Sequence, residues 1–134
     1  MVCGWRSLRA LRRPLEQTDR SHVSGLALPT PPDLSWVDVG CGTGALTEIV
    51  LEKAVPNCVV GVEPSEGFLG VAKASIEDAR AEFMIGDAQS LPLEKHEVDV
   101  VVSGLVVNFV PDKRRALEEM LRIVKPGGTV AAYV

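Results

Sequence analysis

The stretch 34–47, LSWVDVGCGTGALT, constrains this 134-residue chain more than any other. Trp36, Val37 and Val39 read as a short buried strand ending at Gly40. Glycines then alternate at Gly40, Gly42 and Gly44, and residues 45–50 run on as a helix. A strand entering a helix through such a turn leaves backbone N–H groups unpaired at the helix N-terminus, where the helix dipole is positive. Glycine tolerates positive φ and lets a ligand lie against bare backbone. The turn is therefore built to hold a nucleotide-like group.

Two nucleotide classes fit it. Gly40, Gly42 and Ala45 satisfy the dinucleotide pattern G-x-G-x-x-G/A, with an acidic residue about 20 positions on. The same loop suits S-adenosylmethionine. Asp38, two residues before Gly40, begins to separate them. A carboxylate at the mouth of the loop repels a pyrophosphate but attracts the ammonium end of a methionine moiety.

The length supports one domain with one core. Hydrophobic residues make up 46% of the chain and aromatics 4%, so Val, Leu, Ala and Ile must build that core. Short apolar runs of this kind point to a parallel sheet covered by helices. The formal net charge of −4 gives no footing for nucleic acid over the whole domain. The sign is uneven, however: residues 1–32 carry +3, with five Arg against Glu16 and Asp19, and the remainder −7. Cys3, Cys41 and Cys58 form neither a disulfide framework nor a metal-ligand spacing, which fits a reducing, cytoplasmic setting. No run approaches the 18 or so apolar residues of a membrane span.

Residues 1–32 read as a leader in which Leu8, Leu11 and Leu15 fall at helical spacing among arginines, closed by the Pro-rich run 28–32. From 33 to 134 strands and helices alternate. Strands are expected at 35–39, 58–63, 82–85, 98–102 and 129–134. Helices are expected at 44–54, at 65–77 with Phe68, Leu69, Ala72 and Ile76 inward, and from an Asp112 cap to Val124. On the last helix Ala116, Leu117, Met120, Leu121 and Val124 form the expected buried face, and Pro126-Gly127-Gly128 the turn into strand five. Residues 88–96 read as a loop with at most one helical turn. Strands joined by crossovers give a doubly wound Rossmann-like sheet, with its site beyond the strand carboxyl ends. Gly40, Glu63, Asp87 and Ser103 all fall at such ends. Glu63 can accept both hydroxyls of a ribose, and Asp87 an exocyclic amine, with the Ala88 N–H available to a ring nitrogen.

The ordered pieces VDVGCGTG (37–44), VVGVEPSEGFL (59–69), GDAQSLP (86–92), VDVVVSGLVVNFVPD (98–112) and LRIVKPGGTVAAY (121–133) resemble the class I S-adenosylmethionine-dependent methyltransferases. The likeness is nearest to the small-molecule branch similar to the quinone-biosynthesis methyltransferases. It implies that Asp38 and Gly40, Cys41, Gly42, Thr43 and Gly44 hold the methionine part of the cofactor. Glu63 would bind the ribose and Pro64 lie on an adenine face. Asp87 and Ala88 would read the adenine edge, and Ser103 and Gly104 sit beside the sulfonium and the entering small-molecule acceptor. Methyl transfer from a sulfonium asks chiefly for proximity and alignment. No catalytic base is assigned: His96 reads as a solvated residue, His22 lies in the leader, and Asn108 is as well explained by the approach to a helix.

The family's usual sheet has seven strands, and this chain accounts for five. A C-terminally truncated core is therefore expected, with weak cofactor binding, no turnover, and strand five as an apolar edge and candidate dimer contact. Two other functions fit parts of the pattern: an inert cofactor-binding or scaffold module, and a nicotinamide-dependent oxidoreductase.

Overall fold

The computed structural model describes residues 31–133. The expected leader helix and the Cys3 and His22 readings lie outside these residues. In chain order the elements are β1 (Ser35–Val39), α1 (Ala45–Lys53), β2 (Cys58–Glu63), α2 (Glu66–Ser75), β3 (Ala81–Ile85), β4 (Val98–Ser103), a 3-10 helix (Leu105–Asn108), α3 (Lys113–Ile123) and β5 (Val124–Ala132). The five strands form one parallel sheet in the order β3-β2-β1-β4-β5. This is the expected doubly wound, Rossmann-like α/β class.

Strand alternation divides the core in two. Val37, Val39, Val60, Val62 and Val101 pack with Ala116, Met120 and Ile123 of α3. Trp36, Val59, Val100 and Val102 pack with Val50, Leu51 and Ala54 on the α1 side and with Ile76. The chain leaves β1 toward β2 and leaves β4 toward β5, so adjacent central strands feed helices on opposite faces. In sheets of this kind a ligand site lies where the strand order reverses, which here is at the carboxyl ends of β1 and β4.

Local chemistry sets the helix starts. The Ser65 hydroxyl caps α2 by accepting the Phe68 N–H at 3.2 Å, and Asp112 caps α3 by accepting the Arg115 N–H at 3.0 Å. No side chain caps α1, whose N-cap position is Gly44.

The structure corrects three expectations. Phe68 is exposed, and only Leu69, Ala72 and Ile76 of the expected α2 face are buried. On α3 the buried stripe is Ala116, Glu119, Met120 and Ile123, while Leu117 and Leu121 face outward. Those two leucines sit one position, about 100°, off the stripe. Burial there follows angular position, and Glu119 is admitted because Arg122 pairs with it at 2.7 Å. Finally, β5 begins at Val124, directly from α3, rather than at Thr129. Val98 pairs with Val124 and Val100 with Thr129, so Pro126-Gly127-Gly128 is a bulge inside the strand.

A candidate cofactor site at the strand carboxyl ends

The glycine turn folds back on β2. Gly40 N–H and Cys41 N–H both donate to the Val62 carbonyl, at 2.7 and 3.1 Å, and Gly44 N–H donates to the Cys41 carbonyl at 2.9 Å. Gly42 has φ +56 and nothing within 4 Å of where a Cβ would stand, so its bare backbone faces open space. At Gly40 the opposite holds: a Cβ would lie 2.5 Å from Val106 of the 3-10 helix, which closes over the turn. Thr43 is exposed at the tip.

Asp38 lies under this turn with no exposed surface. Its Oδ2 accepts the Thr47 hydroxyl at 2.7 Å, and the Thr47 backbone N–H also faces the carboxylate. Its Oδ1 has no partner among the described residues. Burial, with a smaller push from the Glu63 charge, raises the carboxyl to about 6 against the two Thr47 bonds. Burial and the charges of Asp38 and Glu63 push the neighbouring Cys41 thiol up to about 12, which makes it an inert filler of the turn.

Glu63 closes β2 and ties two segments together. Oε1 accepts the Gly42 N–H at 3.1 Å and Oε2 the Ser65 N–H at 2.8 Å. Pro64 follows it, exposed. The Glu63 carbonyl accepts the Gly86 N–H at 3.2 Å, which brings the turn after β3 to the same edge. There Asp87 is exposed, its Oδ1 accepting the Gln89 N–H at 2.7 Å, and Ala88 is buried.

The Ser103 hydroxyl is 1% exposed and lies 3.0 Å from the Val39 carbonyl and 3.1 Å from that of Gly104. It therefore ties the end of β4 to the end of β1, which leaves Gly104, half-buried, as the open backbone at that corner. His96 is exposed before β4, at the opposite edge of the sheet. A surface groove of about 520 Å³ is lined by Glu48, Glu52, Ile76 and Arg80 among others, on the α1 side of the sheet.

The edge thus unites Asp38, residues 40–44, Glu63, Asp87 and the Ser103–Gly104 corner. Sequence reading missed Thr47, whose position three residues into α1 is the one signal for it. It also missed Val106, which nothing in the sequence marks. A third omission is the Glu119–Arg122 pair that holds the segment after Ala88, through bonds too distant along the chain to leave a short-range trace.

Similarity to known proteins bears on the family and the fold. A demethylmenaquinone methyltransferase of Lactococcus lactis is 42% identical over 101 residues, 72% of this chain and 40% of the relative. An S-adenosylmethionine dependent methyltransferase of Mesorhizobium loti superposes with TM-score 0.68 at 25% identity, over 97% of this chain and 52% of its own. The [4+2]-cyclase SpnF superposes with TM-score 0.69 at 28% identity, over 74% of this chain and 38% of its own. The chain spans less than half the length of the curated relatives it matches. Residues 37–132, from inside β1 to the last residue of β5, match the methyltransferase domain profile, and the chain belongs to that family.

Proposed function

We propose that the chain is the cofactor-binding core of an S-adenosylmethionine-dependent methyltransferase acting on a small molecule. The observation that carries the reading is the buried Asp38 carboxylate with its unpartnered Oδ1 beneath a glycine turn left open at Gly42. Three acids, Asp38, Glu63 and Asp87, ring the site. That arrangement suits an ammonium, a pair of hydroxyls and an exocyclic amine, and opposes the pyrophosphate of a nicotinamide dinucleotide. In this reading Asp38 and the backbone of residues 40–44 hold the methionine end. Glu63 holds the ribose, Pro64 flanks the adenine, and Asp87 with the Ala88 N–H reads its edge. When bound, the cofactor supplies a methyl group activated on a sulfonium. Gly104 and the exposed Leu105 and Phe109 form the side from which an apolar acceptor approaches. The Lactococcus relative, by its name a methyltransferase of a quinone precursor, supports such an acceptor. The buried thiol of Cys41 supports a cytoplasmic setting. Among the described residues no helix is long and apolar enough to cross a membrane. Pairing of two copies through the β5 edge gains no support from the relatives and is not part of this reading.

One solved neighbour, SpnF, is named as a cyclase, and a fold alone does not fix a reaction, so the acids argue for the cofactor and not for the acceptor. Calorimetric titration with S-adenosylhomocysteine and, separately, NADH tests the site. Binding of the first alone, weakened about 30-fold or more by Glu63→Ala, is expected from the loss of charge-assisted hydrogen bonds worth about 2 kcal/mol or more. Binding of NADH alone would overturn the reading.

A further inference from the structure

The segment 86–97, between β3 and β4, forms no helix or strand of its own beyond an isolated bridge between Asp87 and Ser90. Its shape is imposed by α3. Arg122 donates through Nη2 to the Leu91 carbonyl at 3.1 Å and through Nη1 to the Leu93 carbonyl at 2.9 Å. The same guanidinium grips Glu119 through Nε and Nη2, both at 2.7 Å. Glu119, 4% exposed, in turn accepts the Leu91 N–H at 2.8 Å. Nearer the sheet edge, Arg115 Nε donates to the Gln89 carbonyl at 3.1 Å. One short stretch is thus held at Gln89, Leu91 and Leu93 by three side chains of one helix. The Arg122 hydrogen bond with Glu119 holds that carboxyl below its ordinary range, so the grip persists in mild acid.

Asp87 has no such anchor. The bonds its side chain makes among the described residues are to Gln89, at 2.7 Å to the N–H and 3.3 Å to Nε2. The direction of its carboxylate is therefore inherited from the residues that follow it. The same is true of the Ala88 N–H, whose side chain is buried beside Leu91 and Leu93.

We propose that Glu119 and Arg122 are positioning residues that aim the Asp87–Ala88 turn, and thereby set the selectivity of the site for adenine over other purines. The inference rests on the cofactor reading above. Neither residue touches the ligand; they act through the backbone they hold. The planar fork of arginine meets two carbonyls and a carboxylate at once, which a lysine ammonium on a flexible stem cannot reproduce.

The test uses the full chain and two ligands, S-adenosylhomocysteine and S-inosylhomocysteine, in which a carbonyl replaces the exocyclic amine. The wild-type protein is expected to prefer the first about tenfold or more, because the carbonyl leaves Asp87 facing an acceptor. In Arg122→Lys the preference should fall below about threefold, a change in ratio that general loosening of the fold does not produce. Glu119→Gln is isosteric and still able to accept the Leu91 N–H. It is the second variant, with an expected loss of about threefold in the ratio, and it stands alone if Arg122→Lys does not fold. Weaker binding of both ligands with the preference intact would overturn the inference, as would a wild-type protein that binds both equally. A wild-type protein that binds neither ligand defeats the cofactor reading itself, and the inference with it.

Discussion

Two aspartates are buried at opposite edges of the two central strands, and their surroundings differ in kind. Asp99, near the amino end of β4, is 3% exposed. It accepts the Ser35 N–H and Ser35 hydroxyl at 2.9 Å each and Lys125 Nζ at 3.0 Å. Burial pushes its carboxyl up, but these three donors together outweigh it and hold the group below the ordinary range. Asp38, near the carboxyl end of β1, has Thr47 and no cation among the described residues, and burial wins. The Asp99 charge is met by donors and a cation of the chain itself, whereas Asp38 has the two Thr47 bonds and keeps Oδ1 without a hydrogen-bond partner among the described residues. A buried polar group left unpaired costs stability, and such costs gather at functional sites.

Removing each acid should therefore have opposite consequences. Asp99→Ala strands the Lys125 ammonium and the Ser35 N–H, and should destabilise the fold by about 3 kcal/mol in urea denaturation at neutral pH. Asp38→Asn should change stability by less than about 1 kcal/mol, since it replaces a disfavoured charge. It should weaken S-adenosylhomocysteine binding about 30-fold, roughly 2 kcal/mol. If Asp38→Asn instead destabilised the fold as much as Asp99→Ala, the contrast between the edges would fail.

The pH dependence sharpens the same contrast. The folded-state value for Asp38, about 6, lies above the ordinary 3.8. Its protonated form therefore favours the fold at low pH, and that contribution is lost as pH rises through 6. Asp99 is shifted the other way, so its contribution is present above the ordinary carboxylate range and lost as pH falls through its lowered value. A cationic ligand needs Asp38 ionised. Affinity for S-adenosylhomocysteine should rise several-fold from pH 5 to pH 7 and then level, and the profile of Asp38→Asn should be flat over that range. The smallest effect is expected from Thr47→Val, which removes the hydroxyl bond: affinity about threefold lower at pH 7, with the midpoint of the profile moved above 6. An unmoved midpoint would mean that Thr47 does not tune Asp38.

The same division marks what could be read from the sequence. The strand, the glycine turn, α1 and the acid ending β2 are contiguous or follow a single crossover, so their spacing carries the geometry. Asp38, Gly42 and Glu63 all meet at the expected edge. The α3 side depends on bonds between residues 28 to 31 apart, such as Glu119 to Leu91 and Arg122 to Leu91 and Leu93, which leave no local signature. Hydrophobicity alone also placed Leu117 and Leu121 inward, where the angular position on α3 and the Glu119–Arg122 pair decide otherwise. The start of β5 was hidden for a similar reason: a Pro-Gly-Gly run reads as a turn, and only pairing with β4 reveals a bulge. Ser103 stands at the expected strand end, but its hydroxyl is occupied by the Val39 and Gly104 carbonyls, something no spacing could show.

The most direct measurement is calorimetric titration with S-adenosylhomocysteine at pH 5.5, in two buffers of different ionisation enthalpy. With burial raising the Asp38 carboxyl to about 6, binding should release a clear fraction of a proton from the wild-type protein and none from Asp38→Asn. Binding with no proton release, or with the same release from both proteins, would contradict the assignment of Asp38 as the acid that awaits the cofactor's cation.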